Sequence, residues 1–165
     1  MSAGPPAPGI PPMETLEVVS VGLPFCAFKI VAGAALRAGG GGWGGVGTFL
    51  VALGAADVLF SGANLAGLIL IRRRVLDACF LAFAARLFQA PTRKSRWTLR
   101  DCGNSLDMLV SFSIVAWMVG AGRLPALPPR SLSVWNAAVV LSVLGAGLAR
   151  FTESVRNLSE DAALE

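Results

Sequence analysis

The residues describe an all-α integral membrane protein with four transmembrane helices and an interfacial amphipathic helix between the second and third. Three observations carry that expectation. Apolar residues make up 55% of the 165 positions and charged residues 15%, whereas a soluble domain carries about a quarter charged residues to face water. Mean hydropathy is +0.66. The 19 glycines suit membrane helices, which tolerate glycine and use it where helices touch.

Residues 1–13 hold five of the ten prolines and no charge, which reads as a disordered tail. Without Lys or Arg this stretch also lacks the basic start of a signal peptide. A transmembrane domain is expected over 14–152 and a cytoplasmic tail over 153–165. The first span, 16–36, contains Glu17, Pro24 and Lys29, and its length meets the ~20 residues that a crossing needs. A glycine-rich linker follows. The second span, 46–71, has Asp57 as its sole charge and stops at Arg72, Arg73 and Arg74. Residues 75–90 are apolar, but Arg74, Asp77 and Arg86 leave too short a run to cross. An interfacial helix is expected there, with Phe80, Phe83 and Leu87 buried and Pro91 ending it. The third span, 106–122, has Asp107 near its start, and the fourth, 131–149, has no charge. A proline-rich connection separates them.

Counting cations sets the expected orientation. The connection between the second and third spans carries Arg72, Arg73, Arg74, Arg86, Arg93, Lys94, Arg96 and Arg100. Cytoplasmic loops carry the Lys/Arg excess, so this connection and both termini are expected in the cytoplasm. Arg150 and Arg156 then make ten cations inside, against Arg37, Arg123 and Arg130 outside. The same basic residues are expected to meet anionic lipid headgroups of the bilayer, at about 1 kcal/mol each. Nucleic acid is not an expected partner, because the basic balance follows topology and no binding motif accompanies it. The Ala, Gly, Arg and Leu bias suggests a bacterial inner membrane.

Chemistry is restricted by the absence of histidine, the usual general base and commonest metal ligand. Cys26, Cys79 and Cys102 are too scattered for a disulfide framework or a zinc site. No nucleotide, hydrolase or metalloprotease motif is present. Neither enzyme activity nor a metal or cofactor is expected. What remains is polar groups inside spans. Asp57 shares a helix face with Gly54, Ser61 and Asn64, and a carboxylate there must face protein or water. It reads either as an interhelical contact or as part of an ion or proton relay. Lys29 is its expected partner, unless the lysine snorkels to the headgroups alone. Asn104, Asp107 and Ser111 read as caps and interface groups at the mouth of the third span. Small-residue pairs Ala52/Ala56, Ala63/Gly67, Ser142/Ala146 and Gly145/Ala149 suggest a tight bundle, a homo-oligomer or a place in a larger complex. The expected role is a non-catalytic accessory, assembly or scaffold subunit. The alternative is an oligomeric channel or transporter component using Lys29, Asp57 and Asn64.

Overall fold

A computed structural model describes residues 13–39, 41–88 and 99–161, and every regular element among them is helical. The order is α1 (Met13–Glu17), α2 (Leu23–Ala38), α3 (Gly44–Ile71), α4 (Phe80–Leu87), α5 (Leu99–Gly120) and α6 (Pro129–Asp161). A π-helical turn, Val18–Gly22, joins α1 to α2 without a break, and Pro24 follows directly on it, so the N–H that proline lacks falls where the regular hydrogen-bond ladder is already shifted. Four helices are long and apolar enough to cross a membrane: Thr15–Ala38, Gly44–Ile71, Asp101–Gly120 and Pro129–Leu148. These cover the four expected spans. The fourth helix outruns its apolar stretch and continues to Asp161, since nothing after Ala149 breaks it. The proline-rich segment lies outside the described residues, apart from Met13.

The central rod is α2, packed on α3, α5 and α6. Its core face carries Phe25, Phe28, Val31 and Ala32, which meet Leu50, Ile114, Met118, Leu127, Trp135 and Ala138. The α2–α3 crossing brings two backbones close together. A Cβ at Gly33 would stand 2.6 Å from the Gly47 carbonyl oxygen, and one at Gly47 would stand 2.6 Å from that of Gly33. Only glycine allows backbones this near. Gly54 extends the seam, lying against the Cys26 carbonyl and the Lys29 stem. These glycines bring two spans to backbone distance, and Gly145, from one of the pairs singled out by spacing, also makes a close contact, with no room for a Cβ beside Ser20 of the first span. Of those pairs, Ala52 and Ala146 lie on uncovered faces.

The short connection after α5 has a clear cause. Gly122 takes φ +60°, while Arg123 N–H donates to the Met118 carbonyl at 3.0 Å and Gly122 N–H to that of Val119 at 3.1 Å. That is a Schellman stop, which needs a left-handed residue and here has glycine to supply it.

Residues 75–90 depart from the expected continuous helix. Helix is present only over Phe80–Leu87, and residues 72–79 run non-helically back alongside α3. Arg72 turns left-handed at φ 55°, and Gly67 leaves room for the Arg73 carbonyl beside it. The descending chain then bonds to α3 side chains. Val75 and Leu76 N–H donate to Asn64 Oδ1 at 3.1 and 2.8 Å, and Asn64 Nδ2 donates to the Asp77 carbonyl at 2.9 Å. About two turns further down α3, Phe80 N–H donates to Asp57 Oδ1 at 2.7 Å. Side chains of α3 thus take the backbone groups that a helix over 75–79 would have used internally. Phe80 meets α3 fourteen residues before its end at Ile71, about 21 Å along the axis at 1.5 Å per residue. From there α4 climbs back, packed on α5, where Gly103 makes room for Leu81 and Ala82. The expected buried set also changes. Ala82 is the buried residue of α4, Phe80 and Leu87 are 38% and 67% exposed, and Phe83 packs on Phe60.

Candidate functional site

At the level where 72–79 reaches its deepest point, three charged side chains converge from three helices. Side chains on a helix lean toward its N-terminus, so Lys29 extends down α2 toward Cys26, while Gly54 lets its stem lie on α3. Its ammonium donates to Asp57 Oδ2 at 2.6 Å and also to Asp107 Oδ1. Lys29 has no exposed surface, and the Asp57 and Asp107 side chains are 3% and 8% exposed. Asp57 is held from both sides, one oxygen by Lys29 and the other by Phe80 N–H. Asp107 has Lys29 alone, and its second oxygen has no hydrogen-bond partner among the described residues.

One ammonium therefore faces two carboxyl groups. It balances one of them, and the second is balanced by a proton or another cation, because an uncompensated charge is too costly in this interior. A cavity of about 70 Å³ lies against the cluster, lined on its deep side by Cys26, Lys29, Asp57, Ser61, Cys79 and Asp107. That volume holds a few water molecules, and the polar lining gives them partners. At its mouth Arg74 donates to Glu17 at 2.5 Å, joining the re-entering segment to the start of the first helix.

Ligand atoms of Asp57, Cys79 and Asp107 lie within 4.8 Å of one another. The Lys29 ammonium already bonds an oxygen of each carboxyl, so a second cation there competes with it. Cys79 is buried beside the two acids. Its sulfur accepts from Ala82 N–H at 3.4 Å and caps α4. All three cysteines are free.

Several residues differ from their sequence-derived roles. Asp107 is a buried partner of Lys29 rather than a cap, and α5 begins at Leu99, before the residues expected to cap it. A signal for this was present in the stripe Asp107, Ser111, Ile114, Met118, all of which are buried. Ser111, fully buried one turn beyond Asp107, has no hydrogen-bond partner among the described residues. Asn64 stands apart from the ion cluster and serves the backbone of 75–77. Ser61 lies on the cavity wall, 3.9 Å from the Cys26 sulfur. Of the basic residues, Arg72 and Arg73 are exposed and Arg74 bonds Glu17, while Asp77 lies 3.4 Å from Arg86. Arg93, Lys94 and Arg96 lie outside the described residues, as does the side chain of Arg100.

Comparison with protein-family models, with curated protein sequences and with solved structures finds no match for this chain.

Proposed function

We propose that this chain is a small, non-catalytic multi-pass membrane protein that handles protons or monovalent cations as a channel or transporter component. The observation that carries the reading is Lys29, fully buried and bonded to acids from two other helices beside a water-sized cavity. Ionisable groups at such depth in a span mark ion and proton paths. The two acids divide the work. Asp57 holds the re-entering chain through Phe80 N–H, so its role is to fix geometry. Asp107 has a free oxygen at the cavity, so it is the group that exchanges a proton or cation with water. Lys29 supplies the charge against which the occupant competes. With α3 in the bilayer, residues 72–79 form a re-entrant segment. By the cation count its open end faces the cytoplasm, with both termini on that side, and the membrane in view is a bacterial inner membrane.

Four helices enclose little pathway, and the assembly reading draws on another feature. Only 28% and 17% of the apolar windows of α5 and α6 are buried inside the chain, against 56% for the first helix. Those faces suit lipid, further copies or a larger membrane complex, and they favour a scaffold or accessory role as the second reading.

The test is proton or cation uptake into vesicles holding the purified protein and a pH dye, driven by a potassium diffusion potential. Uptake above empty vesicles that Asp107→Asn abolishes, with gel filtration unchanged, supports the transport reading. No uptake by the native chain, together with a stoichiometric protein partner retained in native mass spectrometry, overturns it in favour of the accessory role.

A further inference from the structure

The opposite end of the bundle has a charge problem of its own. Arg37, Arg123 and Arg130 lie there, and no acid among the described residues does. At the end bearing Arg72–Arg74, described acids stand beside the cations: Glu17 by Arg74 and Asp77 by Arg86. Among the described residues, the end with fewer arginines is thus the one with more uncompensated charge. It also holds the larger cavity, about 580 Å³, between the end of α2 and the α5–α6 connection. That volume lies inside the ~300–1,000 Å³ of sites for small organic ligands. Val31, Ala35, Leu36 and Leu127 line an apolar trough, with Trp43 and Trp117 at its sides. Arg123 is the only charge in the lining, 6.0 Å from the centre of the Trp117 ring. Arg37 follows Leu36 and Arg130 precedes Ser131, both lining residues.

We propose that this cavity binds one anionic phospholipid, its phosphate on Arg123 and an acyl chain in the trough. The proposal rests on the membrane reading of the chain but is independent of the ion cluster. An apolar trough with a single cation at its rim matches a molecule that is apolar along its length and anionic at one end. No acid among the described residues is there to take that place. The stacked guanidinium is pre-set to receive an oxyanion, and the flanking tryptophans suit the headgroup boundary.

The experiment compares the detergent-purified chain with Arg123→Gln, with Ala35→Phe, which fills the trough, and with Arg86→Gln at the other end. Quenching of tryptophan fluorescence by brominated phosphatidylglycerol and by brominated phosphatidylcholine is titrated in mixed micelles. The native chain and Arg86→Gln should prefer the anionic lipid. Arg123→Gln should bind it about fivefold more weakly, the equivalent of ~1 kcal/mol for one cation on an anionic headgroup. Ala35→Phe should lower binding of both lipids. Equal affinity for the two lipids, an unchanged Arg123→Gln, or an acidic protein holding this face in native mass spectrometry overturns the proposal. Alkaline extraction of the host membranes separates the two failures. A chain that stays in the membrane but shows no preference loses only the lipid site, whereas a chain that is released loses the membrane reading as well.

Discussion

Replacing Lys29 by methionine removes the one counter-charge that two buried acids have among the described residues. The Asp57 and Asp107 side chains, 3% and 8% exposed, would then share one pocket with no cation between them. Breaking a buried ion pair from one side costs about 3–5 kcal/mol, and with two acids stranded the upper end, about 5 kcal/mol, is expected. Asp57→Asn is milder. Lys29 keeps Asp107, and the new amide oxygen still accepts from Phe80 N–H. The loss is one charge-assisted hydrogen bond, about 1.5–3 kcal/mol. Asp107→Asn should cost no more than that, since Lys29 is the one partner of Asp107 among the described residues. The triple variant Lys29→Met, Asp57→Asn, Asp107→Asn should recover most of the loss, because no buried charge remains. Unfolding in mixed micelles of rising sodium dodecyl sulfate fraction, followed by tryptophan fluorescence, gives the free energies, and double-mutant cycles isolate the couplings. A Lys29→Met protein as stable as Asp57→Asn, or coupling near zero between Lys29 and both acids, would refute the three-way cluster.

Two further outcomes follow from neighbouring contacts. Asn64→Ala removes three hydrogen bonds to the backbone of residues 75–77, so the re-entering segment should loosen. Buried Cys79 should react with a membrane-permeant maleimide far faster in that variant than in the native chain. Because thiolate is the reactive form, the reaction in either protein should quicken as pH rises. Gly54→Val places a side chain against the Cys26 carbonyl and the Lys29 stem, with atoms at 3.0 and 3.1 Å from its Cβ. Overpacking of this kind costs about 1–3 kcal/mol, and the same micellar unfolding should show it together with a weaker Lys29–Asp57 coupling.

Composition and hydropathy alone determined that the chain is built from four long apolar helices, and roughly where each lies. That property is local, since a helix meets its backbone hydrogen bonds within its own segment and each apolar run can be read without its neighbours. The pairing of Lys29 with Asp57 was also within reach, because two lone charges in adjacent apolar runs have few other places to go. Tertiary structure decided the rest. Asp107, 78 residues from Lys29, resembled a helix cap as long as α5 was taken to begin beside it. It became a partner because the helix starts at Leu99 and turns the Asp107, Ser111, Ile114 and Met118 face inward. Residues 72–79 have the apolar content of a surface helix, and their course is set by Asn64 and Asp57 on another element. Gly33, Gly47 and Gly54 likewise became contact residues only through the crossing of α2 and α3. Hydrogen bonds and close approaches between distant segments leave no period in a sequence, and on them depends where the charges of this protein meet.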